Sequence, residues 1–289
     1  MPSPTDFNLS PYYDDFTESK NFHRILFRPS FAVQARELTQ SQSILQNQVE
    51  RVSDHLFEKG AMVIPGEIGY DLNYFAIKLT SFTDTAAAGV TLTDFVGLQL
   101  TGQTSGVVCK VINTSATDGT DPNTLYVKYE TSGTDNTSTA FTDGETIQTG
   151  TVSINSTSTT VSAVVDTTAT GCAAYVAAGT YYINGFHVDV AEQTLILDKY
   201  SNTPSYRVGL LVTESFTTPN DDGTLNDNAQ GTSNQNAPGA HRFKISLTLT
   251  KKTLTAVDDA NFVELLRLKT GILQNQVRTT EYAVLEDTL

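Results

Sequence analysis

One hexapeptide occurs twice in this chain. It stands in Ser43-Ile44-Leu45-Gln46-Asn47-Gln48-Val49-Glu50 and again, near the other end, in Gly271-Ile272-Leu273-Gln274-Asn275-Gln276-Val277-Arg278. Around the first copy, Leu38, Leu45, Val49, Val52 and Leu56 follow a 4-3 spacing with Gln42 at one seam position. The segment from about Ala32 to Lys59, stopped by Gly60, therefore reads as a helix about 40 Å long. Around the second copy, Val263, Leu266, Leu273, Val277 and Val284 fall on one heptad seam, interrupted by Thr270 and Thr280. Asp258-Asp259-Ala260 places acidic residues where a helix N-terminus favours them. Both copies are thus predicted to be helical in the same register, packing as a bundle in cis or around a symmetry axis. Two alternatives stay open: a solitary amphipathic helix packed on a sheet, and coincidence in an amide-rich sequence. The second helix would still be periodic at Leu289, without a capping glycine, which reads as a chain cut short.

Outside the two copies the patterning changes. Residues 1–31 carry Pro2, Pro4, Pro11 and Pro29, which block regular structure. They also carry Phe7, Tyr12, Tyr13, Phe16, Phe22, Phe27 and Phe31, too many aromatics for a disordered tail. An ordered arm lying against another surface, its own or a partner's, is expected. From Ala61 short β-runs take over, at Ala61–Ile64 and Tyr74–Leu79. A Thr/Ser/Gly/Asp-rich block follows, with runs at Leu98–Leu100, Val107–Ile112, Leu125–Tyr129, Thr146–Gln148 and Val161–Val165 between turn clusters. Tyr181–Val188 reads as a hairpin on a type I′ Asn184-Gly185 turn. Tyr206–Val212 and Phe243–Leu254 read as further strands around a polar loop at about 217–240.

The expected class is therefore α+β, mostly β: antiparallel β-domains with an inserted small β-barrel or sandwich, flanked by two long heptad-patterned helices. The divisions are an aromatic arm (1–31), an N-terminal helix (32–60), a main β-domain (61–80 and 171–257), an inserted β-domain (81–170) and a C-terminal helix (258–289).

The 289 residues carry 18 Lys+Arg against 32 Asp+Glu, a net charge of −14. That balance argues against nucleic-acid binding and against docking on anionic membranes. No stretch approaches the roughly 20 apolar residues of a membrane span, and the N-terminus lacks a signal-peptide pattern. Charged residues make up 17%, and Thr, Ser, Asn, Gly and Gln fill the gap. Cys109 and Cys172 read as buried thiols made in a reducing cytosol, a disulfide being the other option.

Chemical motifs are missing: no phosphate loop, no GxSxG elbow, no HExxH and no paired CxxC. The histidines, His23, His55, His187 and His241, have no ligand-spaced neighbours. Most acidic residues sit in turns, where Asp is a turn former, so no carboxylate pair stands out and no enzymatic activity or cofactor is expected. Asn220-Asp221-Asp222-Gly223 with Asp227 offers oxygen ligands for calcium, but departs from the usual loop pattern and reads first as a solvated turn. Tyr126 and Tyr129 are conceivable sugar platforms in a chain without tryptophan.

Ser10–Phe16, and Phe27-Arg28-Pro29-Ser30-Phe31 through Gln40, resemble the N-terminal region of virion structural proteins of tailed bacteriophages, especially contractile-tailed phages of cyanobacteria. These are described as baseplate or tail-fibre-like proteins. The likeness continues through the first hexapeptide helix and resumes at Gly179–Phe186, Tyr206–Leu210, Asp227–Gly231, Ala237–Ile245 and the last helix, with His241 where relatives carry an acidic residue. It covers roughly two thirds of the chain, and the block around 81–170 least. The resemblance implies a structural role in a phage tail, made in the host cytoplasm and assembled into the virion, and it implies no catalytic residues. The arm residues Tyr12, Tyr13, Phe16, Phe22, Phe27 and Phe31 would then dock into neighbouring baseplate subunits. The seams (Leu38, Leu45, Val49, Val52 and Leu56; Leu266, Leu273, Val277 and Val284) would form a homo-oligomer, a trimer favoured. A host-surface glycan bound by 81–170 is the alternative role.

Overall fold

The computed structural model describes residues 4–86, 88–256 and 260–277. Among these residues the one long helix is α1 (Ala35–Asp54). Extended Gln34 precedes it, and the Gln34 amide donates to the Glu37 carboxylate at 2.8 Å, which satisfies a backbone group the helix start would leave bare.

Sixteen antiparallel strands follow among the described residues. In chain order they are β1 (Met62–Ile64), β2 (Ile68–Asp84), β3 (Gln99–Gly102), β4 (Val108–Ser115), β5 (Thr124–Thr131), β6 (Thr146–Gln148), β7 (Val152–Ile154) and β8 (Thr157–Thr159). They continue as β9 (Val161–Val176), β10 (Gly179–Ile183), β11 (Phe186–Val190), β12 (Gln193–Asp198), β13 (Tyr206–Thr217), β14 (Arg242–Thr253), β15 (Phe262–Lys269) and β16 (Ile272–Gln276).

The order β9-β2-β5-β4-β3-β6 closes on itself, because β6 also pairs with β9 through Thr146↔Val164 and Gln148↔Ser162. The result is a six-stranded barrel, and closure removes the unpaired edges that Thr/Ser-rich strands would otherwise expose. Its interior holds Ile77, Phe95, Leu100, Cys109, Val111, Leu125, Val127, Ile147 and Val165, all buried. A second core, the centre of a sandwich, lies between the sheet β14-β13-β15-β16 and the strands β1, β10, β11, β12 with the outer ends of β2 and β9. There Met62, Ile68, Tyr181, Leu197, Leu210 and Leu268 are enclosed.

Strands β2 and β9 belong to both cores. They pair almost end to end, from Ile68↔Val176 to Asp84↔Val161. Ile68 and Val176 serve one core, and Ile77, Leu79 and Val165 the other. The chain thus passes into the barrel on one strand and returns on its neighbour.

The expected C-terminal heptad helix is corrected by this structure. Val263 and Leu266 lie on β15 and Leu273 on β16, with Val277 just beyond it. All four face the chain's own core instead of a helical seam. Two local features explain the misleading period. Thr270 and Gly271 take φ of 52° and 75°, the paired left-handed conformations of a two-residue hairpin turn, and Lys269 pairs with Ile272 across it. The register of β15 against β13 also shifts beside Gly209, so that Leu265 and Leu266 are both buried. A bulge of this kind breaks strand alternation and yields apolar spacings of three, which mimic a helix. Val284 and Thr280 lie outside the described residues, as do 258, 259 and all of 278–289. Among the described residues the flanking architecture is therefore one long helix, not two.

Candidate interaction surface

α1 rests on the β10–β11 hairpin. The turn there is Asn184-Gly185, with φ of 49° and 87°. Gln46 Nε2 donates to the Gly185 carbonyl at 2.6 Å, and Tyr182 Oη donates to Asp54 Oδ1 at 2.7 Å. Burial, reinforced by the bond to Asp54, holds the Tyr182 hydroxyl above the usual phenol range. Phe57, just past the helix, approaches Tyr182 and His187 with ring centroids 6.0 and 6.2 Å apart.

A second strip of α1 is covered by the arm. Asp14 is buried and accepts from the Ser43 hydroxyl. Asp15 accepts from Gln40 Nε2 at 3.1 Å and from Arg36 at 3.4 Å, and Glu18 pairs with Arg51. Phe16 and Phe22 border a narrow crevice against Ile44, Asn47 and Gln48. The beginning of the arm crosses to the four-stranded sheet. Phe7 meets Phe243 edge-on at 5.0 Å, and Tyr12 stacks on Phe216 at 5.1 Å. The Tyr12 hydroxyl and His241 Nδ1 are 2.8 Å apart. Tyr12 and Phe16 are half-buried on the chain's own surface, whereas Tyr13, Phe22, Phe27 and Phe31 are exposed. Leu26 and Val33 are exposed beside them, two residues that a search for aromatics alone passes over.

The third strip of α1 has no cover among the described residues. Leu38, Leu45, Val49 and Val52 are 53, 68, 47 and 63% exposed. Leu56 falls beyond the helix end and is half-buried. Helical geometry puts the first four on one side, because positions three, four and seven apart share a face. Contiguous exposed apolar surface of this kind marks an interaction site more often than chance.

The two copies of the hexapeptide invert each other. In α1, Ile44 is 4% exposed and Leu45 points outward; in β16, Ile272 is 66% exposed and Leu273 packs on the core. Only the first copy therefore contributes to the open face.

Other candidates fold away from binding roles. Tyr126 is fully buried, and Tyr129 is held between Phe75 and Phe141 with centroids 4.9 and 5.3 Å away, so neither offers an exposed sugar platform. Asp221 accepts from the Thr218 hydroxyl and amide at 2.7 and 3.0 Å, and Asp222 from those of Thr224 at 2.7 and 2.9 Å. These bonds hold both carboxyls below the usual carboxylate range. They are turn-forming contacts, and among the described residues no three His, Cys, Asp or Glu side chains converge as a metal site. Cys109 and Cys172 are buried free thiols; burial pushes Cys109 up to about 12. No helix among the described residues is long and apolar enough to cross a membrane.

The model of one protein family, described as "Domain of unknown function (DUF4815)", matches residues 10–140 and 123–289. No curated protein and no solved structure matches the chain. The family matches together span the arm, α1, the barrel and the sandwich, and on that coverage the chain belongs to the DUF4815 family.

Proposed function

We propose that this chain is a structural and assembly component of a bacteriophage tail, either a baseplate subunit or the baseplate-proximal part of a tail fibre. The observation that carries the proposal is the open apolar face of α1, flanked by the exposed outer arm at Phe22, Leu26, Phe27 and Phe31. A folded chain rich in hydroxyl and amide surface gains nothing from such a face in isolation, and gains stability when neighbours cover it. The resemblance of Ser10–Phe16 and Phe27–Gln40 to tailed-phage virion proteins falls on the same region. In this reading α1 packs through Leu38, Leu45, Val49 and Val52 on copies of itself, a trimer favoured. The outer arm reaches other tail proteins, and the barrel and sandwich act as spacers.

The paired substitution Leu45→Asp with Val49→Asp tests the self-association. Both side chains point away from the chain's own core, so the variant is expected to keep its circular dichroism and to change only its mass in solution. Light scattering is expected to give a multiple of 31.3 kDa for the unaltered chain and 31.3 kDa for the variant. A monomeric unaltered chain, or an oligomer that survives the double substitution, refutes packing through α1. Mass spectrometry of purified virions tests the location, and absence of the chain from particles whose genome encodes it refutes the tail role.

A further inference from the structure

The uncovered strip of α1 runs through Leu38, Gln42, Leu45, Val49 and Val52, over about 21 Å of helix. Gln42 is its polar member. Gln40 and Gln46 of the same helix are bonded to Asp15 and to the Gly185 carbonyl. Gln42 is exposed and holds no side-chain hydrogen bond among the described residues. We infer that α1 packs on α1 of a second copy in parallel and in register, with Gln42 facing Gln42. The inference rests on the self-association proposed above and adds its direction and register.

The charges along α1 select a second copy as the occupant. A chain of net charge −14 repels its own copies at long range, so copies meet best where charge is absent. The charged residues of α1 are turned to the chain itself. Arg36 pairs with Asp15, Arg51 with Glu18, and Asp54 accepts from Tyr182. Glu37 accepts from the Gln34 amide, and Glu50 lies against Gly185. The strip and its flanks at Ser41 and Gln48 carry no charge. A basic or acidic partner finds no counter-charge there, whereas a copy meets the same surface without like-charge repulsion.

Gln42 then sets the direction. A side-chain amide buried against an apolar group gives up its bonds to water and gains none. An antiparallel pair with full overlap puts Gln42 against Val49, and a parallel pair displaced by one heptad does the same. An antiparallel pair centred on Gln42 sets Val52 beyond the start of the partner helix. The parallel, in-register pair bonds amide to amide and covers all four apolar residues. A single polar seam residue fixes register in this way at some cost in affinity.

Thiol cross-linking of the full chain with a short bis-maleimide tests this. Cys109 and Cys172 are buried, so the unaltered chain is expected to give no cross-linked species. Leu38→Cys and Val52→Cys, each alone, are expected to cross-link copy to copy, because parallel register brings each position to its counterpart. Co-expression of the two variants is expected to give no product joining one to the other, since the two positions stand about 21 Å apart along the axis. Gln42→Glu is expected to keep its circular dichroism and to weaken association about tenfold in sedimentation. Products joining the two variants, with none within either, overturn the parallel direction and leave α1 self-association standing. No cross-link in any sample overturns the inference too, and a monomeric mass beside that result removes the self-association as well. Association unchanged in Gln42→Glu overturns the meeting of Gln42 with Gln42.

Discussion

Thr270 holds φ at 52°, a region that β-branched side chains rarely enter. Its amide donates to Ser205 Oγ at 2.8 Å, and the following Gly271 amide donates to the Pro204 carbonyl at 2.9 Å, so the loop before β13 fixes this turn from outside. The comparable turn at Asn184-Gly185 uses the residue pair best suited to the geometry. Thr270→Asn is therefore expected to raise stability by about 0.5–1 kcal/mol, read from chemical denaturation with an unchanged slope. A loss of stability would mean that the threonine side chain contributes more than its backbone strain removes. The Asn184 turn is legible in the sequence because Asn-Gly is an unambiguous signal. Thr-Gly is not: Thr270 registers only as a break in the heptad seam, and a single glycine in a helical pattern costs about 1 kcal/mol without forbidding it.

The two copies of Ile-Leu-Gln-Asn-Gln-Val show what a hexapeptide leaves undetermined. Upstream of the first, Gln34 and Glu37 close a helix start and no glycine intervenes before Gly60. Directly upstream of the second stands a hairpin turn, and β15 supplies a partner edge. Neighbours, not the hexapeptide, choose between period 3.6 and period 2. Leu273→Asp is accordingly expected to destabilise the folded chain by about 2–4 kcal/mol, whereas Leu45→Asp leaves monomer stability within about 0.5 kcal/mol. Equal effects in thermal melts would refute the inverted orientation. Most strands were readable from β-branched runs between turn clusters, Thr146–Gln148 to the residue. The long extents of β2 and β9 were not: β2 runs past the Tyr74–Leu79 run into Asp71 and Asn73 on one side and Ser81 and Asp84 on the other, and the middle of β9 holds Asp166, Ala169 and Gly171, residues of weak strand preference that are held by pairing between the two strands. The open face of α1 was visible as a heptad stripe.

Across the molecule, the barrel and the sandwich share β2 and β9, so their stabilities are coupled through one ladder. Amide hydrogen exchange should find residues 75–79 and 163–173 in the slowest class, exchanging with the same opening energy as buried β13. Exchange of the barrel amides well ahead of β13 would show two independent units instead. This ribbon has a mechanical consequence. Domain hinges need a few loop or strand-end residues that can absorb a large backbone rotation. Between the two cores the ladder is paired except at one bulge, where Leu72 and Asn73 stand opposite Cys172 alone. Bending of the barrel against the sandwich is therefore concentrated at that bulge, and a push delivered to the barrel is turned there before it arrives beside the helix whose apolar face stands open.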